Sequence, residues 1–284
     1  MARPVIVGVD DPASAGPAVD WAADEARARG MRLHLVHAWE WEPHQDPDPA
    51  DAEASRQAGS QTLRELVERA VARHQDLDVS SALLDASPRD TLIELATQAG
   101  LLVVGSRGTG GFHELLVGST TLHVAARAAC PVVVVRAPDL LATDGVAVGV
   151  EAREPDEGVL RFAFETAGRR GLPLRAVHAW SYPLLLGPGH SMPPVYESGH
   201  VAAEEQRLLS EVMAGWQQKY PEVPVEEDAV RSGAAKQLVA LSKTHQLVVV
   251  GRHRRSDSLF GRLGSVSQAV VHHAHCPVAV VPSA

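Results

Sequence analysis

Val5-Ile-Val-Gly-Val-Asp10 returns in altered form as Val146-Ala-Val-Gly-Val-Glu151. Arg29-Gly30, Leu33 and Val36-His-Ala-Trp39 return as Arg170-Gly171, Leu174 and Val177-His-Ala-Trp180, all at one offset, since 171 − 30 and 178 − 37 both give 141. Nearer the end of each half stand Gly105-x2-Gly108-x9-Gly118-Ser119 and Gly251-x2-Arg254-x9-Gly264-Ser265, each followed by a helical stretch and Cys-Pro-Val. The offset is now 251 − 105 = 146, so about five residues enter between the blocks. Repetition over so long a period indicates two copies of one domain. The expected boundaries are 1–137 and 145–284, with Ala137 to Asp144 as the linker.

The periodicity within each copy gives the fold class. Val5 to Val9 reads as a buried strand. Ala15 to Arg29 reads as a helix, with Val19, Ala22, Ala23 and Ala26 on one face and Gly30 as its stop. Further strands are expected at Arg32 to Ala38, Asp78 to Leu84, Leu101 to Val104 and Val132 to Val135. Between them lie helices at Ala54 to His74, Asp90 to Gln98 and Ser119 to Ala128. The second copy repeats the pattern, with strands near 146–150, 173–179, 224–230, 247–250 and 278–281. Apolar strands alternating with helices predict an α/β fold: two doubly wound, Rossmann-like domains, each a parallel sheet covered on both faces.

Composition narrows the function classes. A chain of 284 residues, 45% hydrophobic, can fill two cores of ordinary size. A formal charge of −9 gives no electrostatic reason to expect nucleic acid or an anionic membrane surface as partner. With no signal-like start and no apolar run of spanning length, a soluble cytoplasmic protein is expected. Cys130 and Cys276 occupy equivalent places ahead of a valine-rich strand and read as buried apolar side chains, not as a redox pair. His272-His273-x-His275 lacks the spacing of a zinc site, so no metal site is expected.

The glycine segment carries the chemistry. Gly105 ends a strand, and Ser106-Arg-Gly-Thr-Gly-Gly111 can expose backbone N–H groups with few side chains in the way. Gly118-Ser119 then opens a helix, directing its first amides and a hydroxyl at the same space. Backbone donors beside a helix N-terminus suit phosphate, each charge-assisted bond being worth ~1.5–3 kcal/mol. Two segments rich in proline and polar residues, Glu40 to Asp51 and Ser181 to Gly199, follow the second strand of each copy and read either as plain connections or as lids.

Together, the Gly-x2-Gly-x9-Gly-Ser segment, the opening Val-Gly-Val-Asp, the Val-His-Ala-Trp strand end and the closing Cys-Pro-Val-Val-Val-Val resemble the universal stress protein family in its tandem form. The resemblance spans about residues 3–136 and 145–282. It implies five parallel strands per half in the order 3-2-1-4-5, with the halves joined as an internal pseudo-dimer through the Val132 and Val278 strands. It leaves open whether two chains pair again as a homodimer.

The resemblance also implies ATP as ligand, with Mg2+ bridging the phosphates. Asp10 would lie beside the nucleotide, and the backbone near His37 and Ala38 would meet the adenine edge. Gly105 would approach the ribose, while Gly108, Gly118, Ser119 and Thr120 would hold the phosphates. Asp10 has a second reading, as the acid that starts an Asx turn before Pro12 and Ser14. In the second copy Gly251, Gly264 and Ser265 persist, but Arg254 replaces Gly108 and Glu151 replaces Asp10. Arg254 either fills the phosphate space or binds phosphate through its side chain. No Gly-x4-Gly-Lys-Ser/Thr loop or Gly-x-Ser-x-Gly elbow is present, so no catalytic residue is expected. The leading expectation is an ATP-binding stress sensor acting on an unidentified protein partner; the alternatives are a ligand-independent interaction protein and a slow ATPase.

Overall fold

The computed structural model describes residues 3–39, 49–106, 117–136, 144–181, 198–252 and 263–283. Its first half runs β1 (Val5–Gly8), α1 (Pro12–Arg29), β2 (Leu33–Trp39), α2 (Pro49–Arg73), β3 (Val79–Asp85), α3 (Pro88–Ala96), β4 (Leu101–Gly105), α4 (Ser119–Arg127) and β5 (Val132–Val135). The second runs β6 (Asp144–Gly149), α5 (Glu157–Arg170), β7 (Leu174–Trp180), α6 (Ser198–Lys219), β8 (Val225–Arg231), α7 (Ala234–Leu241), β9 (His245–Arg252), α8 (Ser265–His273) and β10 (Val278–Pro282). Asp144, read as the last linker residue, opens β6, and 137–143 lie outside the described residues.

The strands form one ten-stranded sheet, β3-β2-β1-β4-β5-β10-β9-β6-β7-β8. Each half therefore has the order 3-2-1-4-5, as expected. Neighbours within a half are parallel, while β5 and β10 meet antiparallel, with Val134 opposite Val278 and Val132 opposite Val280. That single reversed pairing relates the halves by a pseudo-twofold axis. The all-apolar strands are explained by burial on both faces: one core collects α1, α2, α5 and α6, the other α3, α4, α7 and α8. No helix among the described residues is long and apolar enough to cross a membrane.

Local chemistry sets the helix ends. Gly30 and Gly171 are both left-handed, at φ 61°, and each folds its N–H back onto the last turn of its helix. The first helices nevertheless differ between halves. α1 has 18 residues and is capped by Asp11, whereas α5 has 14 and is capped by Asp156. In the second half a loop thus replaces the first helical turn, with no change in chain length. The five extra residues enter later, between Trp180 and Val225, because Trp39 and Val79 match these at offsets of 141 and 146.

Arginines lock the junction. Arg136 donates from Nη2 to the carbonyls of Val271 (2.5 Å) and His272 (2.6 Å) in the last turn of α8. Arg252 donates in return to the carbonyl of Ala128, at the end of α4, at 2.5 Å. Both place a cation against the negative end of a helix of the opposite half.

Cys130 and Cys276 are free and buried. Burial pushes their thiols up, to about 11 and about 12. A thiol reagent at pH 8 is therefore expected to label neither over minutes in the native chain and both in denaturant. Rapid labelling of the folded protein would contradict this burial.

Candidate functional site

The site follows from the topology. In each half the chain winds one way from β1 through α1 and α2 on one face, then the other way through α3 and α4 on the opposite face. The winding reverses between β1 and β4, and the crevice outside their carboxyl ends is where such sheets take ligands. Asp10 follows β1, and Gly105 and Gly118 stand at the end of β4 and the start of α4, on either side of that reversal.

Asp10 is exposed just past β1. The Asx role read for it belongs to its neighbour. Asp11 accepts from the amides of Ala13 (2.9 Å) and Ser14 (3.0 Å) and from the Ser14 hydroxyl, capping α1. Burial pushes the Asp11 carboxyl up, but these bonds outweigh it and hold the group below its ordinary value. Asp11 is thereby committed to the helix, and Asp10 stands exposed at the carboxyl edge of β1.

At β4 the strand end and the next helix are tied together. The amide of Gly118 donates to the Ser106 carbonyl at 2.8 Å, and the Thr121 hydroxyl donates to the Gly105 carbonyl at 2.8 Å. The first intrahelical bond runs from Leu122 to Gly118, so the amides of Ser119, Thr120 and Thr121 have no partner within α4. Gly118, at φ −66° and ψ 148°, supplies no side-chain cap. Three first-turn donors thus face the crevice without the Ser, Thr or Asp acceptor that usually takes them. Ser119 is exposed beside them and Thr120 half-buried. Gly108 lies outside the described residues.

The β2 end contributes a backbone edge. Val36, the partner of Gly8 and so the last β2 residue paired to β1, accepts from the Val9 amide at 2.9 Å. By strand alternation the Ala38 N–H and C=O face the same side, beyond the point where β1 has left. His37 faces the other way, its backbone toward β3, and its ring Nδ1 donates to the Val9 carbonyl at 2.9 Å. It ties the end of β2 to the turn after β1. On α2, Gly59 backs this ring so closely that a Cβ would sit 2.9 Å from His37 Cδ2.

The second half keeps the frame and changes its lining. Gly264 again opens its helix with no side-chain cap, and the Ser267 hydroxyl donates to the Gly251 carbonyl at 2.6 Å, as Thr121 does to Gly105. Ser265, like Ser119, is exposed. Around the equivalent of His37, however, the packing is new. The position of Gly59 is taken by Glu205, since 59 + 146 = 205. Glu205 lies 3.1 Å from Nε2 of buried His178 and accepts from Arg153 at 2.5 Å. Arg153 comes from the loop that replaced the first helical turn. A charged clasp from the α5 entry to α6 therefore covers the β7 end, where the first half has glycine. Arg254 lies outside the described residues.

Sequence reasoning missed three groups here: the strand-tying hydroxyls Thr121 and Ser267, the Arg153–Glu205–His178 clasp, and Arg89. Arg89, near the start of α3, donates from Nη2 to the Ser119 Oγ at 2.7 Å, joining the two helix starts. Comparison of the copies carries the signal for it, because its equivalent, 89 + 146 = 235, is alanine. Among the described residues, no group of three His, Cys, Asp or Glu side chains is arranged to hold a metal.

Comparison with known proteins agrees with this frame. The profile of the universal stress protein family matches residues 1–136 and 144–282. A universal stress protein of Mycobacterium tuberculosis is 35% identical over 289 residues, covering 97% of this chain and 96% of its own. One from Mycolicibacterium smegmatis is 33% identical over 288 residues, covering 98% and 96%. Among solved structures, a universal stress protein from Archaeoglobus fulgidus aligns over 99% of this chain and 97% of its own, with a TM-score of 0.71 at 16% identity.

Proposed function

Because this chain belongs to the universal stress protein family, we propose that its first half binds ATP and that nucleotide occupancy regulates a stress response through a partner surface. The observation that carries this reading is the start of α4, three amides and two hydroxyls without a side-chain cap, held at the β1/β4 switch point beside exposed Asp10. A helix N-terminus of this kind favours a phosphate chain. The Ala38 backbone, past the last residue of β2 paired to β1, would offer one donor and one acceptor to a planar base, which suits an adenine edge. Magnesium would accompany the phosphates, with no protein cluster required to retain it.

We read the protein as a sensor and not as a catalyst. Useful hydrolysis needs a positioned base for the attacking water. The side chain bonded to Ser119 is the guanidinium of Arg89, which stabilises charge but cannot accept a proton. A cytoplasmic location and two domains at 1–137 and 145–284 belong to the same reading. The second half is assigned a structural or regulatory role, because the Arg153–Glu205 clasp spans its β7 end.

Calorimetric titration of the nucleotide-stripped chain with ATP and Mg2+ tests this by counting sites. One site per chain is expected. Two would show that the second half binds as well and would overturn its assignment. None would replace the sensor reading with that of a ligand-independent interaction protein.

A further inference from the structure

We propose that Arg89 reads the outer phosphates of the nucleotide in the first half, so that this site selects nucleoside triphosphates over monophosphates. The inference rests on the nucleotide reading above and adds to it a residue and a selectivity.

The placement of Arg89 is the first argument. It is the second residue of α3 and reaches across to Ser119, the first residue of α4. A cation at the N-terminus of its own helix and against the N-terminus of another opposes the positive ends of both dipoles. Asp90 is the acid expected in that first turn. The guanidinium thus sits where the bare protein gains least from it and where a polyanion gains most.

The bond to Ser119 supplies the second. A hydroxyl both accepts and donates. Arg89 occupies an acceptor position on the Ser119 Oγ, which leaves the hydroxyl proton to point outward at a phosphate oxygen. The guanidinium's planar fork can meet a second oxygen directly. His123, one turn further along α4, does not compete for this role. Burial, followed by the charges of Arg127 and Arg89, holds its ring below the ordinary histidine value, with Asp90 opposing, which disfavours its cationic form.

The third argument is order along the crevice. Gly105 and Gly118 are half-buried, Ser119 is exposed, and Arg89 approaches Ser119 at the surface. A phosphate chain running outward from the switch point meets the α4 amides first and Arg89 last. A monophosphate ends before it. The second half, with Ala235 in this position, lacks the contact altogether.

The test compares ATP and AMP, each with Mg2+, by calorimetry on the full chain and on its Arg89→Ala, Arg89→Lys and Ser119→Ala variants. Arg89→Ala is expected to weaken ATP about 10-fold or more and AMP less than ~3-fold, with Arg89→Lys between wild type and alanine for ATP. Circular dichroism and a thermal melt confirm that each variant folds. If Arg89→Ala weakens both nucleotides equally, or neither, or if the wild-type chain binds ATP and AMP alike, the inference fails while the nucleotide reading stands. A wild-type chain that binds neither nucleotide removes the nucleotide reading and this inference with it.

Discussion

Gly118→Glu is expected to abolish ATP binding in the first half, lowering affinity at least ~100-fold, without unfolding the chain. Gly118 sits at φ −66° and ψ 148°, an extended conformation that any L-residue adopts, so the substitution introduces no backbone strain. A carboxylate at the start of a helix is also favourable, by ~0.3–1 kcal/mol. The same carboxylate, however, takes the first-turn amides of α4 that the phosphates would use and repels the phosphates themselves. Loss of two charge-assisted bonds at ~1.5–3 kcal/mol each accounts for the factor. Calorimetry read beside a thermal melt separates the two effects. Unchanged affinity, or lost affinity accompanied by a collapsed melt, would contradict the assignment. Gly264→Glu is the internal control, expected to leave the count of one ATP per chain unaltered.

The fold was legible because its signals are local and occur twice. Valine-rich runs set the strands, Gly30 and Gly171 set the helix stops, and the Cys-Pro-Val segments mark the fifth strands that meet at the centre. Much of the candidate site's frame was legible for the same reason, since Gly105 ends β4, Gly118 precedes α4 and Ser119 opens it, places that glycine and a helix start dictate. What stayed hidden depends on neighbours far along the chain. Adjacent Asp10 and Asp11 are chemically alike, and only the register of α1 decides which one caps it. Glu205 answers Gly59 only once the five-residue insertion is placed before β8, so its contact with His178 could not be paired beforehand. Arg89 follows Ser87-Pro88 and reads as an ordinary exposed helix-start residue. The clue was its sign, a cation where helix starts favour acids.

Removing the Glu25 carboxylate is expected to destabilise the chain by about 3–5 kcal/mol at pH 7, because it leaves two largely covered cations between the halves without their buried counter-charge. Glu25 is 1% exposed. It accepts from Arg29 Nε at 2.6 Å and from Arg170 Nη2 at 2.5 Å. The two arginines are repeat equivalents, 29 + 141 = 170, and each crosses to stack on the other half: Arg29 lies 5.1 Å from the Phe162 ring centroid and Arg170 4.9 Å from that of Trp21. The carboxylate has no such counterpart, since 25 + 141 = 166 is a buried threonine. One glutamate therefore serves both guanidinia. Burial pushes the Glu25 carboxyl up, but the charges of Arg170 and Arg29 outweigh it and hold the group below its ordinary value of 4.5. A group depressed in the folded state contributes stability that is complete above its unfolded pKa and is lost as pH falls through the folded one. The gap between wild type and Glu25→Gln, measured by urea unfolding, should accordingly be constant from pH 7 to about 5 and should narrow as pH falls below about 4.5. Glu25→Ala should show the same trend on a larger loss. A gap below ~1 kcal/mol at pH 7, the range of a surface pair, would mean that this triad does not hold the halves together. A gap that persists undiminished at pH 3 would mean that shape, and not charge, is what Glu25 supplies.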